Sequence, residues 1–210
     1  MHTLPRRTGR PLSFDRDVAL RQAMLTFWRH GYETTSVADL TVAMGISAPS
    51  LYTAFGDKRR LFLEAMRLYA GDPADMERAI ANARTAQEAA HDLMTAAATT
   101  YTGEATPRGC LLASATASGS AAAADVQDAV ANIRRGIEDC LRVRIEHDIE
   151  NGVLPPGLQA APLAGLVLAV VQGMSVLARD GASRASLLAI AEAALHAWPG
   201  TKADDQAPVR

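Results

Sequence analysis

An all-α fold is predicted by three features of this sequence. Apolar residues recur at three- and four-residue spacing through most of the chain, Ser, Thr or Asp opens many of those runs, and glycine closes several. Alternating apolar and polar runs of the kind strands need are scarce. The expected architecture is an N-terminal three-helix, helix-turn-helix domain followed by a larger helical domain, about nine helices in all. With 210 residues, 49% apolar and 21% charged, the chain is long enough to bury a core in one or two domains.

Residues 1–12 read as a flexible basic arm, with Arg6, Arg7 and Arg10 ahead of Pro11. Arginines on an extended segment can lie in a minor groove or stay solvated, so Arg10 enters only as a candidate contact. Asp15 or Ser13 caps the first helix, in which Leu20, Ala23, Met24 and Phe27 share a face up to Gly31. The second helix opens at Thr35-Ser36 and carries Val37, Leu40, Thr41 and Met44. Gly45 stops it, because glycine takes the left-handed conformation that lets two helices cross steeply. Ser47 caps the third helix, and Pro49 is tolerated in a first turn whose amides have no intrahelical partner. Ile46, Leu51 and Phe55 supply its apolar side, which turns Ala48, Pro49, Ser50, Tyr52 and Thr53 outward. Residues that small let a helix enter a groove. Asp57 caps a fourth helix with Leu61, Phe62, Ala65, Leu68 and Tyr69 apolar, and Lys58 in its first turn. A cation there opposes the helix dipole and fits better as a phosphate contact.

The run Ala23, Phe27, Gly31-Tyr32, Thr34-Thr35-Ser36-Val37, Leu40, Gly45-Ile46-Ser47, Ser50-Leu51-Tyr52, Phe55, Asp57-Lys58 and Leu61 resembles the helix-turn-helix of the TetR (TetR/AcrR) family of transcriptional regulators, in spacing and residue type. Thr41 stands where that family usually has Ala, and Ala48 and Thr53 occupy positions often filled by larger polar groups, so the operator sequence stays open. The resemblance implies that Tyr52 and Lys58 contact the DNA backbone while Ala48, Pro49, Ser50 and Thr53 lie nearest the bases. The hydroxyls of Thr35, Ser36 and Ser47, at helix N-termini that would point at the duplex, are further candidates for phosphate or DNA contact. Charge agrees: residues 1–70 hold ten Lys+Arg against six Asp+Glu, leaving eleven against seventeen in the remainder, so the overall −2 hides a basic N-terminal third.

Gly71-Asp72-Pro73 interrupts the pattern, giving expected bounds of 13–57 for the helix-turn-helix domain, 58–71 for a linking helix, 72–199 for a ligand-binding and dimerisation domain and 200–210 for a disordered tail. Thr85-Ala86-Gln87-Glu88 reads as a capping box opening a helix that runs to Tyr101. Cys110-Leu111-Leu112 opens a short helix ended by Ser118-Gly119-Ser120, and a long helix spans about Ala122–Asn151. Two last helices differ. Leu163, Leu166, Val167, Val170, Val171, Met174 and Leu177 form a broad apolar face beside a four-residue row of Ala161, Gly165, Ala169 and Gly173, and Leu187, Ile190, Ala191, Ala194 and Trp198 can pack next to it. One chain underuses this surface. The expected homodimer interface is Leu163, Gly165, Leu166, Ala169, Val170, Gly173, Leu187, Ile190, Ala194 and Trp198, forming a four-helix bundle on a two-fold axis.

Other chemistries find little support. Two cysteines make no disulfide framework or metal spacing, none of the five histidines sits in an HExxH frame, and no glycine-rich phosphate loop follows a strand, so neither an enzyme nor a metal or other cofactor is expected. His147-Asp148 and Glu150 read as a solvated charged face. No secretory signal is recognisable, and the uncharged stretch 163–178 is shorter than a membrane span, so no membrane partner and a cytoplasmic location are expected.

By resemblance, the chain is a ligand-responsive regulator, most often a repressor, binding palindromic double-stranded DNA and released by a small-molecule effector. Effector-lining candidates are Phe62, Met66, Tyr69, Met94, Tyr101, Cys110, Ile137, Cys140, Val171 and Met174, a mostly apolar set. Two alternatives stay open. One is a helical dimeric interaction protein without specific DNA binding; the other is a thiol-based electrophile sensor, since Arg108-Gly109-Cys110-Leu111 resembles a stretch of some TetR-like sensors and Arg108 could favour a Cys110 thiolate.

Overall fold

A computed structural model of the chain describes residues 14–114 and 124–200. The expected arm with Arg10, the Ser118-Gly119-Ser120 helix end and residues 201–210 of the expected tail lie outside these described residues. Ten helical segments are present among the described residues, one of them only four residues long, and no strand.

α1 (Arg16–His30) begins at Asp15, whose carboxylate accepts from the amides of Asp17 and Val18. α2 (Val37–Met44) and α3 (Ala48–Phe55) flank Gly45, which lies at φ 66° and ψ 31°, the left-handed conformation the turn requires. α4 (Lys58–Ala70) is capped by Asp57. Phe27, Leu40, Leu51, Leu61 and Phe62 are fully buried where these four helices meet. Phe27 and Phe62 stack edge to face at 5.0 Å. Arg16 lies 4.4 Å over the Phe55 ring and reaches Glu64 at 2.8 Å, tying the start of α1 to α3 and α4.

α5 (Pro73–Asn82) falls in a stretch for which the sequence sets no helix bounds. The break at Gly71 is at once a helix start, with Asp72 accepting from Ala74 N and Pro73 in the first turn. α6 (Ala86–Tyr101) is capped by Thr85, but the expected reciprocal bond is displaced: the Glu88 carboxylate accepts from Arg84 N at 2.6 Å, because the Arg84 guanidinium also draws it there. α7 (Leu111–Ser114) is short, and α8 (Ala124–Glu150) is the longest helix. α9 (Ala160–Arg179) and α10 (Arg184–His196) complete the fold, α9 packing on α6, α8 and α10.

Two expectations are corrected here. Asp148 is no solvated residue: it is 1% exposed, ion-paired to Arg144 at 2.9 Å, and accepts from Ala86 N at 2.6 Å, so α8 supplies an anion to the N-terminus of α6. α9 is 20 residues long, so length alone does not set it apart from a membrane span; 39% of its apolar window is buried within this one chain.

Candidate nucleic-acid interface

The candidate reading surface is built by α2, the Gly45 turn and α3. Ser36 and Asp39 form a capping box: Ser36 Oγ accepts from Asp39 N at 3.1 Å, and the Asp39 carboxylate accepts from both Ser36 N and Ser36 Oγ. Those bonds favour the ionised acid and hold the Asp39 carboxyl below its ordinary range. Ser36 itself remains exposed. Thr35 does not. Its side chain is 1% exposed and its hydroxyl donates to Gly31 O at 2.6 Å, so the phosphate contact expected of it is not available to that side chain in this fold.

In α3, Ser47 accepts from Ser50 N, and its hydroxyl lies 2.9 Å from that of Ser50. Leu51 and Phe55 face the core; Pro49, Tyr52 and Thr53 are exposed, while Ala48 and Ser50 are half-buried. Tyr52 is 50% exposed, and Thr53 Oγ1 donates to Pro49 O, leaving its methyl group and the oxygen's acceptor capacity for a base. Arg59 is ion-paired with Asp125 and Arg60 with Asp57. Lys58 is held differently, donating to Glu33 O at 3.3 Å with its ammonium 4.6 Å from the centre of the Tyr32 ring. Partial burial pushes the Lys58 pKa down, against the nearby Glu33 carboxylate.

The effector candidates lie at buried and half-buried positions. Phe62 belongs to the α1–α4 core, and Met66, Met94, Tyr101, Cys110, Val171 and Met174 are buried; Tyr69, Ile137 and Cys140 are half-buried. Tyr69 does meet Cys110, its hydroxyl 3.3 Å from Sγ, and burial raises the pKa of both Tyr69 and Tyr101, with Cys110 adding to each. Arg108 does not serve the Cys110 thiol: its guanidinium donates to Ala178 O and Ala182 O. The Cys140 thiol is pushed up, by burial first and then by Glu77 and Asp139.

The dimer candidates divide. Leu163 and Leu187 are largely buried in the chain's own core. Leu166 is 53% exposed, Ala169 and Gly173 are exposed, and Gly165, Val170, Ile190, Ala194 and Trp198 are half-buried. Val176 and Leu177, of which only Leu177 lies on the apolar face read from the sequence, are also exposed. An indentation of about 20 Å³ between Met94, Leu166, Val170 and Trp198 holds a water at most.

Sequence reasoning missed a junction at the other end of α1. Trp28 Nε1 donates to Gly109 O at 3.0 Å, its ring stacks edge to face on Tyr69 at 4.8 Å, and Arg179 of α9 donates to Trp28 O at 3.2 Å. Cys110 N donates to Ser175 Oγ at 2.8 Å. Gly109 is required here: it has φ 79°, and a Cβ would lie 2.8 Å from Ser175 O and Arg179. Apart from that glycine, no local spacing signals a contact between residues so far apart.

A four-helix head that presents a capped, small-faced α3, on a larger helical body, defines a helix-turn-helix regulator. The family model described as bacterial regulatory proteins of the tetR family matches residues 19–65, and that of the tetracyclin repressor-like C-terminal domain matches residues 88–195. The HTH-type transcriptional repressor ComR of Escherichia coli (strain K12) is 35% identical over 193 residues, 91% of this chain and 92% of that protein. A cysteine-substituted variant of the TetR-family regulator CifR, solved with a 26-base-pair operator duplex, is 39% identical with a TM-score of 0.85, covering 91% of this chain and all of that one. E. coli NemR in reduced form shares the fold at 19% identity and a TM-score of 0.74 over 90% of this chain and 98% of its own. The chain belongs to the TetR family of bacterial transcription regulators.

Proposed function

We propose that this protein is a cytoplasmic, homodimeric repressor that reads a palindromic operator with α3 of each copy and is released by a small effector. The observation that carries the reading is α3 itself: a helix pinned by Leu51 and Phe55, with Pro49, Tyr52 and Thr53 exposed among the described residues. ComR is named a repressor and the CifR variant was solved on operator DNA, which supports the same partner for this chain. In this reading Tyr52, Lys58, Ser36 and Ser47 meet phosphates, while Ala48, Pro49, Ser50 and Thr53 face the bases.

The dimer rests on α9. Leu166, Val176 and Leu177 would sit in water on a single chain, and a second copy laid along Ala169 and Gly173 would cover them. Dimerisation also supplies affinity, since one α3 with few base contacts would bind little better than non-specifically, at about 10⁻⁴–10⁻⁶ M. The bounds of a linking helix at 58–71 and an effector domain at 72–199 fit α4, which packs on α1 and also on α8. An effector would act by binding better to the arrangement whose two heads do not match the half-sites. Binding to duplex DNA across a salt series is the test: log K falling steeply and linearly with log salt supports phosphate neutralisation, whereas a flat line with retained self-association points to the dimeric interaction protein.

A further inference from the structure

We propose that Tyr32 is a positioning residue for DNA binding: its ring holds the Lys58 ammonium in place for a phosphate before the duplex arrives. The proposal rests on the DNA-reading function above. It starts from a contrast among three consecutive cations. Arg59 and Arg60 each have a carboxylate partner in Asp125 and Asp57. Lys58 is held instead by an aromatic face at 4.6 Å and by Glu33 O at 3.3 Å, with the Glu33 carboxylate acting on its ammonium electrostatically. An ammonium has three donors; the carbonyl takes one and the ring face another, so one remains for an anion.

The hold is rigid because the ring is. Tyr32 lies 4.9 Å from Phe62 and 6.2 Å from Phe27, both fully buried, so the ring is fixed to α1 and α4. Lys58 is also the first residue of α4, where the helix dipole repels a cation. The negative face of the ring supplies attraction at that point and restricts a long side chain whose ordering otherwise costs binding energy. Partial burial lowers the Lys58 pKa in the free protein, and a phosphate within reach would raise it again.

The test is a double-mutant cycle read as affinity for a random-sequence duplex pool at low salt, with circular dichroism confirming that each variant is folded. Tyr32→Leu should weaken binding about three- to tenfold, and Tyr32→Phe, which keeps the ring, should stay within about twofold of wild type. In a Lys58→Ala background, Tyr32→Leu should cost nothing further, because the group it positions is gone. Equal losses with and without Lys58 would overturn the proposal by showing that Tyr32 only supports the fold, as would wild-type affinity in Tyr32→Leu. If Lys58→Ala alone binds with unchanged affinity and salt slope, the phosphate role of Lys58 fails first, an outcome the single variant distinguishes.

Discussion

Among the described residues α3 and α9 each keep an exposed face, and the two faces are opposite in character. α3 turns out a proline, a phenol and a hydroxyl whose oxygen is already bonded within the helix. α9 turns out Leu166, Val176 and Leu177 along a row of small residues. A face of the first kind loses little in water and suits a wet, charged partner; a face of the second kind gains roughly 25 cal/mol for each Å² it buries and suits a copy of itself. The head is therefore finished within one chain, whereas the α9 surface is finished only between two.

The sharpest way to break this division is Leu166→Glu. A carboxylate on a two-fold apolar surface meets its own copy, so the variant should sediment as a helical monomer and lose about 10²–10⁴-fold in operator affinity with the loss of avidity. Arg144→Ala should leave α3 untouched and strike the body: it takes the cation from Asp148, 1% exposed, leaving it the Ala86 amide, and should cost about 3 kcal/mol of stability by denaturant unfolding. Ser36→Ala confines its effect to the head, where losing the cap of α2 should cost about 1 kcal/mol. The smallest effect is a titration. Asp39 has a lowered folded pKa, so its contribution is fully present above the unfolded value near pH 4 and is lost as pH falls through the folded one. An NMR titration should place the Asp39 midpoint below the unfolded range, and Ser36→Ala should move it back up.

How much of this was legible follows from the range of each interaction. The caps at Asp15, Ser36, Ser47 and Asp57, the Gly45 turn and the outward set on α3 depend on residues within four positions of one another, and spacing reads them. Thr35 misled because a hydroxyl at a helix start serves DNA and Gly31 O equally well on paper; only burial separates the two. Asp148 misled in the opposite direction: Arg144 lies one turn away, but Ala86, whose amide donates to its carboxylate from the start of α6, lies 62 positions away. The same limit hid the junction of Trp28, Gly109 and Arg179. On α9 the periodicity found the apolar stripe but could not divide it between the chain's own core, which takes Leu163, and the outer face, which keeps Leu166.

The central claim is that two α3 helices read DNA from a shared dimer, and selection of bound duplexes from a random pool tests it most directly. The wild-type protein should enrich one palindrome with half-sites about one helical turn or more apart, and Tyr52→Ala should lose that enrichment while remaining a dimer. Enrichment of nothing by the wild type, or of a lone half-site, would contradict the account.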